Sequence, residues 1–174
     1  TTIKELFKNI KNPLEVIVVD DNSPDNTAKV VQSLKNPHVK LIKRVNTRGL
    51  ATAFNRGIME SRGDIIGWMD ADTCMPTSLI PKMVKCLDEY DIAIGSRYVD
   101  GGKDLRPRVR VISSKMINWF AGLILGFNIK DYDSGFIVLK RYVFDSVTLS
   151  PRGYGSYFIE FLYDAKKKGF RIKE

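Results

Sequence analysis

The sequence is poor in the residues that carry disulfides, zinc sites and histidine-dependent catalysis. Its 174 residues include two cysteines, Cys74 and Cys86, and one histidine, His38. Two cysteines with no Cys-x-x-Cys pair and no neighbouring histidine argue against a disulfide scaffold and against a zinc site. A single histidine argues against a Ser-His or Cys-His hydrolase. The simplest setting for such a chain is a reducing, cytosolic one.

Several other patterns are missing. There is no run of 18 apolar residues, so the sequence encodes no membrane-spanning helix. The N-terminus, at residues 1–4, is neither a signal peptide nor a start methionine. The absence of a Gly-x-x-x-x-Gly-Lys-Ser/Thr loop excludes a P-loop NTPase, and no Gly-x-Gly-x-x-Gly follows a strand as in dinucleotide-dependent dehydrogenases. What remains is a globular composition, 44% apolar and 28% charged, at a length typical of one domain.

Positive charge is concentrated in the second half of the chain. The net charge is +8 from 28 Lys+Arg and 20 Asp+Glu. Residues 1–95 contain 13 basic and 12 acidic residues, whereas residues 96–174 contain 15 and 8. Six of these cations cluster in and just after a loop rich in glycine and proline, predicted at 96–107: Arg97, Lys103, Arg106, Arg108, Arg110 and Lys115. An anionic partner is therefore expected to meet mainly this half.

Short β-branched runs alternate with segments of helical spacing. The predicted strands are 16–19, 39–44, 64–69, 91–95 and 136–139, and the predicted helices are 27–34, 49–61, 76–87, 108–126 and 156–168. This alternation predicts an α/β fold with an open, mostly parallel sheet flanked by helices. Ligands bind beyond the carboxyl ends of such strands, which is where Asp20, Asp21 and Asp70 stand. We therefore expect these carboxylates to share one site.

The helix predicted at 108–126 contains an unusual apolar stretch. Residues 119–127 are apolar on every face, but nine helical residues span only about 14 Å and cannot cross a bilayer. Two interpretations stay open: the stretch packs in the core, or it lies in a membrane interface.

The motif Asp70-Ala71-Asp72 follows a predicted buried strand and has the chemistry of a metal site. Two carboxylates at this spacing can approach one hard cation, and Mg²⁺ or Mn²⁺ prefers carboxylate and phosphate oxygens. A cation held there neutralises a diphosphate and stabilises it as a leaving group. Together with the downstream cations, the motif indicates nucleoside-diphosphate chemistry.

Five segments together resemble a known family. They are 16–27 (VIVVDDNSPDNT), 48–53 (RGLATA), 70–72 (DAD), 95–98 (GSRY) with the glycines at 101 and 102, and 131–136 (DYDSGF). This series resembles the polyprenol-phosphate (dolichol-phosphate) mannosyltransferases, which are inverting GT-A glycosyltransferases. The resemblance implies a Rossmann-like GT-A fold. It also implies transfer of a sugar, typically mannose from GDP-mannose, to a polyprenyl phosphate by a peripheral domain at the cytoplasmic membrane face.

The resemblance also implies roles for individual residues. The nucleotide sugar would contact Asp20, Asp21, Gly49, Asp70, Ala71 and Asp72, with Asp70 and Asp72 holding Mg²⁺ or Mn²⁺. The acceptor phosphate would contact Arg97, Arg110, Ser114 and Ser134. The catalytic residues would be Asp72, Arg97 and Arg110.

The acceptor decides whether a general base is needed. A phosphate acceptor is anionic near neutral pH, because its second pKa is about 6, and needs only cations to position it. A sugar hydroxyl would require a base. Asp131 or Asp133 is available for that role, so the alternative stays open.

The sequence departs from the family in several places. Cys74 stands where the family has a glutamine near the metal, and residues 105–107 replace its usual tryptophan. Because the family's first strand and its C-terminal continuation have no counterpart, residues 1–174 are interpreted as one catalytic domain truncated at both ends. Its halves would be a nucleotide- and metal-binding half, 1–95, and an acceptor half, 96–174.

Three alternatives remain at this point. The first is a hexosyltransferase of the same family that uses a UDP-sugar, and the second is a sugar-phosphate nucleotidyltransferase. The third is a basic nucleic-acid-binding domain, which the acidic strand ends argue against because they would repel phosphates. No nucleic-acid partner is therefore expected.

Overall fold

The fold is an alternation of strands and helices. A computed structural model describes residues 2–72, 74–104, 106–151 and 156–174. The strands are β1 (Val16–Asp20), β2 (Val39–Lys43), β3 (Ile65–Trp68), β4 (Ile92–Ile94), β5 (Ile137–Lys140) and β6 (Ile172–Lys173). The helices are α1 (Thr2–Asn9), α2 (Thr27–Ser33), α3 (Leu50–Glu60), α4 (Ile80–Cys86), α5 (Arg108–Leu125) and α6 (Ser156–Lys167). All five predicted strands and helices are present in the predicted order, whereas α1 and β6 were not predicted. Of the predicted loop 96–107, residue 105 lies outside the described residues.

The strands form two sheets. In the first, β1 and β2 are parallel, with register from Val16↔Val39 to Asp20↔Lys43. The second has the order β3-β5-β4-β6, in which β4 and β6 are parallel and β5 runs antiparallel to both β3 and β4. The α/β class is confirmed. The opposite direction of β5 follows from its pairing: it begins at Ile137, opposite the last residues of β3 and β4.

Because β5 runs in this direction, the loop before it lies at the edge of the sheet where Asp70 and Asp72 follow β3. Because β5 starts where β3 and β4 end, the loop that precedes it, 130–136, lies at the same edge as the segment after β3. The backbone N–H of Gly95 donates to the carbonyl of Phe136 at 2.9 Å and closes the junction. A side chain at Gly95 would meet the Phe136 ring at 2.3 Å, so only glycine permits this approach.

The strands are less enclosed than their composition predicts. Residues 16–19 are all apolar, yet all four are only half-buried. Among the described strands β1 pairs with β2 alone, so one of its edges has no neighbour. In β3, Ile66 and Trp68 are buried while Ile65 is exposed, the alternation of a strand with one covered face.

The main core lies between the larger sheet and α6. As its spacing predicts, α6 buries Phe158, Phe161, Leu162 and Ala165. The Trp68 ring of β3 is central: its centroid lies 5.6 Å from that of Phe161. Aromatic packing thus fixes α6 against the sheet and supports the strand that leads to Asp70.

Helix α5 has the opposite arrangement. Its buried residues are the polar Ser114 and Asn118. Eight large apolar side chains on it are between 49% and 80% exposed: Val109, Ile112, Met116, Ile117, Trp119, Phe120, Leu123 and Ile124. Core packing of residues 119–127 is therefore wrong for most of this stretch, although Ala121 and Leu125 do contact the core. Within the described part of the chain, no helix is both long and apolar enough to span a bilayer.

Candidate active site

Three carboxylates lie close together beyond β3. Asp70 and Asp72 follow the strand, and Asp133 comes from the loop before β5. Burial raises the pKa of Asp70, and the negative charges of Asp72 and Asp133 raise it further. A carboxylate in this state lacks a compensating cation, so a cation placed among these groups would be stabilised.

The donor set fits a divalent cation that arrives with a diphosphate. In the described ranges no three His, Cys, Asp or Glu side chains converge closely enough to hold a metal by themselves. Mg²⁺ is commonly bound by one or two carboxylates together with substrate phosphates. Asp70 and Asp72 match that requirement, and Ala71 between them is exposed.

Cys74 adjoins this motif. It is exposed, and its backbone N–H donates to Asp72 Oδ1 at 3.2 Å. A hydrogen bond with Asp72, together with the charge of that carboxylate, raises the pKa of the Cys74 thiol. The group therefore stays protonated, and a neutral thiol is a poor partner for Mg²⁺.

The two carboxylates at the end of β1, Asp20 and Asp21, form hydrogen bonds with neighbouring residues. Both oxygens of the buried Asp20 accept from the Ser23 backbone N–H at 3.3 Å. Asp21 accepts two hydrogen bonds from Arg44, at 2.6 Å from Nε and 2.7 Å from Nη2, and one from the Gly49 N–H at 3.0 Å. Burial acts to raise the pKa of Asp21, but these hydrogen bonds outweigh it and the net pKa is lowered.

Asp20 and Asp21 thus shape the loops around β1 and the start of α3. Among the described residues no hydrogen bond or ion pair joins them to Asp70 or Asp72, so their shared role with those residues stays a prediction. Sequence reasoning missed Arg44. The signal was available, because the parallel register that pairs Asp20 with Lys43 places opposite charges at neighbouring strand ends.

Arg97 forms a closed ion pair with Asp131. Its Nε and Nη2 donate to the two carboxylate oxygens at 2.8 and 2.6 Å, and its backbone N–H donates at 2.9 Å. Burial acts to lower the pKa of Arg97, but hydrogen bonds to Asp131 and its charge raise it overall. Asp131 is fully buried, and both its oxygens face Arg97, so it is not available as a general base. Asp133 is half-exposed, with an oxygen 3.5 Å from Arg97 Nη2.

The loop at 130–136 is fixed from three sides. Ser134 Oγ donates to the Gly95 carbonyl, next to Arg97. The Tyr132 N–H donates to Asn118 Oδ1 of α5 at 2.6 Å, and Asn118 Nδ2 donates to the Ser114 carbonyl at 2.9 Å. Glu174 accepts from the backbone N–H groups of residues 130 and 131. Neither Asn118 nor Glu174 was singled out from sequence.

The two predicted acceptor residues of α5 differ in their surroundings. Arg110 lies in the exposed first turn, and no described carboxylate pairs with it. Ser114, one turn later, is 6% exposed, and its hydroxyl has no hydrogen-bond partner among the described atoms. A buried hydroxyl without a partner is costly, and a ligand oxygen reaching it would satisfy it.

The fold, together with Asp70 and Asp72 at the end of β3, defines the class of protein to which this domain belongs. An α/β domain with a carboxylate pair directly after a strand of its larger sheet and a cationic second half is a GT-A-like glycosyltransferase domain. The chain matches glycosyl transferase family 2 over residues 1–148. The chain belongs to that family, which confirms the expectation of a glycosyltransferase domain.

Curated relatives narrow the comparison. The chain is 41% identical over 162 residues to the dolichol-phosphate mannosyltransferase of Pyrococcus furiosus, covering 87% of this chain and 46% of that protein. It is 30% identical to the undecaprenyl-phosphate mannosyltransferase of Micrococcus luteus, covering 92% of this chain and 69% of that protein. The chain thus spans about half the length of the first of these relatives.

A solved structure supports the fold alone. Glucosyl-3-phosphoglycerate synthase from Mycobacterium tuberculosis, in complex with Mn²⁺, UDP and glucosyl-3-phosphoglycerate, superposes with a TM-score of 0.75 at 18% identity. The match covers 99% of this chain and 62% of that one. A further structure of the same enzyme contains Mg²⁺ and UDP.

Proposed function

We propose that this domain transfers a hexose, mannose from GDP-mannose, with inversion to a polyprenyl phosphate at the cytoplasmic face of a membrane. The observation that carries the proposal is the 41% identity to a dolichol-phosphate mannosyltransferase over most of the chain. Membership of the glycosyltransferase family supports this proposal over a sugar-phosphate nucleotidyltransferase.

The structure supports a phosphate acceptor over a hydroxyl acceptor. Of the two carboxylates considered as a base, Asp131 is buried against Arg97 and has no free oxygen. A phosphate needs no base, only cations that hold it against the anomeric carbon. Arg110 is free of carboxylate partners among the described residues, and an arginine suits bidentate phosphate binding.

The residues divide between the donor side and the acceptor side of the site. Asp70 and Asp72 would hold Mg²⁺ or Mn²⁺, which supplies charge neutralisation at the leaving diphosphate when bound. Asp20, Asp21 and Gly49 would shape the nucleotide side. Arg110, with the Ser114 hydroxyl, would hold the acceptor phosphate, while Asp131 keeps Arg97 charged and in place beside Ser134.

The membrane part of the proposal rests on α5. Its outer side exposes eight large apolar residues, and residues 106–130 contain five cations and no acid: Arg106, Arg108, Arg110, Lys115 and Lys130. An amphipathic helix with this chemistry lies in the interface of an anionic membrane. The acceptor lipid would then be presented beside the helix that bears Arg110.

A donor and acceptor panel tests the activity. GDP-mannose, UDP-glucose and UDP-N-acetylglucosamine are each offered with a short polyprenyl phosphate or with a free sugar. We expect transfer from GDP-mannose to the polyprenyl phosphate, dependent on Mg²⁺ or Mn²⁺. Preference for UDP-glucose would support the UDP-hexose alternative, and transfer only to a sugar hydroxyl would bring back Asp133 as a base.

Two variants test the roles. Asp72→Asn should lower transfer by at least 100-fold, with Asp145→Asn, an exposed carboxylate on another surface, as the matched control. Mn²⁺ binding in the presence of GDP, measured by electron paramagnetic resonance, should weaken in the same variant.

Arg110→Ala should raise the acceptor KM with little change in donor binding, and an unchanged acceptor dependence would reject that assignment.

A further inference from the structure

A groove of about 740 Å³ runs along one side of α5. The residues that matter for its chemistry are Arg97, Tyr98, Lys115, Trp119, Leu123 and Phe127. Its described lining contains no carboxylate and combines cations with large apolar side chains. Such a groove matches a ligand that is anionic at one end and apolar along its length.

The cationic end of the groove is at Lys115. The Lys115 ammonium lies 5.7 Å from the centre of the Tyr98 ring, and the Arg97 guanidinium lies 5.3 Å from the same centre. Arg97 is neutralised by Asp131, whereas Lys115 has no carboxylate partner in the described ranges. The uncompensated charges in the groove are therefore those of Lys115 and of Lys130, which also lines it, and Lys115 is the one in line with Trp119 and Leu123 on α5.

The apolar part continues from there along the helix. Lys115, Trp119 and Leu123 are spaced four residues apart, so they line one side of α5 over about 12 Å. Trp119 is 63% exposed and Leu123 is 68% exposed. Both belong to the apolar outer side of α5, so the groove is continuous with the proposed membrane surface.

The groove includes Arg97 of the predicted acceptor site, but it includes neither Arg110 nor Ser114, the two residues that would hold the acceptor phosphate. At 3.6 residues per turn, Lys115 is about 100° around α5 from Ser114, while Arg110 and Ser114 lie on nearly the same line. The hydroxyl of Ser114 does not line the groove. A phosphate at Lys115 and a phosphate at Arg110 would thus be two different ligands.

We propose that this groove binds one anionic phospholipid of the membrane, with its phosphate at Lys115 and an acyl chain along Trp119 and Leu123 towards Phe127. The inference rests on the membrane placement given under the proposed function. The absence of acidic residues from 106–130 makes an anionic lipid the complementary occupant. The bound lipid would hold α5 at a defined rotation in the interface, beside the loop that bears Arg97.

Short-chain lipids separate groove binding from adsorption to a bilayer. The chain contains two tryptophans, the buried Trp68 and the exposed Trp119, so 5-fluorotryptophan labelling gives two ¹⁹F resonances, assigned with Trp119→Phe. Dihexanoyl phosphatidylglycerol and dihexanoyl phosphatidylcholine are titrated below their micelle concentrations. We expect phosphatidylglycerol to shift the Trp119 resonance saturably, with phosphatidylcholine binding at least fivefold more weakly.

Paired variants localise the site. Lys115→Gln should weaken phosphatidylglycerol binding at least fivefold, whereas Arg108→Gln, the same charge loss on the same helix outside the groove, should change it less than twofold. Leu123→Ser should weaken binding likewise, and its exposed neighbour Ile124, changed to Ser, should not. Equal binding of the two lipids, or equal losses in Lys115→Gln and Arg108→Gln, would overturn the proposal.

A competition arm distinguishes the acceptor from a phospholipid. Citronellyl phosphate, a short prenyl phosphate, should bind without displacing phosphatidylglycerol. Displacement at concentrations near the acceptor KM would assign the groove to the acceptor and overturn the phospholipid proposal. Because the ¹⁹F readout needs no turnover, loss of the proposed sugar transfer and loss of lipid binding are separate results.

Discussion

Helices α5 and α6 lie in the same cationic half of the chain, and both carry apolar residues at helical spacing, yet they bury opposite kinds of side chain. α6 covers Phe158, Phe161 and Leu162 almost completely against the sheet. α5 buries Ser114 and Asn118 and exposes eight large apolar residues. Helical spacing therefore identifies the apolar face of a helix, but it does not determine what that face packs against.

The difference separates two tasks. The buried side of α6 holds the sheet whose strand β3 leads to Asp70 and Asp72. The buried side of α5 holds the loop that contains Asp131 and Asp133 through Asn118, and the apolar side of α5 is left for another environment. We infer that one helix stabilises the domain and the other connects the site to a membrane.

The largest expected effect is on folding. Phe161→Ala removes a fully buried ring that packs 5.6 Å from Trp68, and should lower the free energy of unfolding by about 3–5 kcal/mol. Leu123→Ala on α5 should change it by less than about 0.5 kcal/mol, because the side chain is mostly exposed. Urea denaturation measures both. Equal losses would mean that α5 is packed as α6 is.

The next effect concerns the buried polar side of α5. Asn118→Ala leaves the Tyr132 N–H without its acceptor and should destabilise the domain by about 1–3 kcal/mol. Ser113→Ala, on the exposed side, should cost less than about 0.5 kcal/mol. Thermal unfolding measures the stability of both variants. An Asn118→Ala variant as stable as the unchanged protein would show that α5 does not hold this loop.

A smaller effect is expected on membrane partition. Ile124→Ser removes one exposed apolar side chain and should weaken binding to anionic vesicles by about 1.5 kcal/mol, roughly tenfold. Met59→Ser, at a side chain of α3 that is 80% exposed, is the matched control and should leave binding unchanged. Sedimentation with sucrose-loaded vesicles measures the binding constant of each variant. An equal loss of affinity in the control would show that α5 is not the membrane-binding surface.

The smallest effect is electrostatic. Arg108→Gln should weaken binding to vesicles containing anionic lipid by about 1 kcal/mol and should have little effect with zwitterionic vesicles. The difference should shrink as salt is raised, because screening shortens the range of the attraction. A loss that is independent of lipid charge and of salt would contradict the electrostatic contribution.

Some of the fold and site was predictable because the signal is local. The spacing of Phe158, Phe161 and Leu162 specifies one face, and a core was available to receive it. Asp70 and Asp72 stand in one short motif at a strand end. The spacing on α5 was equally clear, but whether its apolar side faces a sheet or a bilayer depends on contacts that spacing does not encode.

Other features needed the tertiary structure. The Arg97–Asp131 pair joins residues 34 positions apart, and no sequence pattern near either residue predicts that they pair. The direction of β5 follows from which strand ends it meets. β6 has two residues, too few to show a period. The Asp21–Arg44 pair is the exception, because the parallel register of β1 and β2 brings these two residues together at neighbouring strand ends and so predicts the pair.

A spin-label scan along α5 tests whether the apolar side of this helix lies in the membrane interface. Single cysteines at positions 109–125, in a background with Cys74→Ser and Cys86→Ala, are labelled, and collision with oxygen and with a water-soluble nickel chelate is measured on anionic vesicles. We expect positions 109, 112, 116, 120 and 124 to gain oxygen contact and lose nickel contact on vesicle binding, with helical periodicity. Unchanged nickel contact at these positions, with vesicles bound, would show that α5 does not enter the membrane interface.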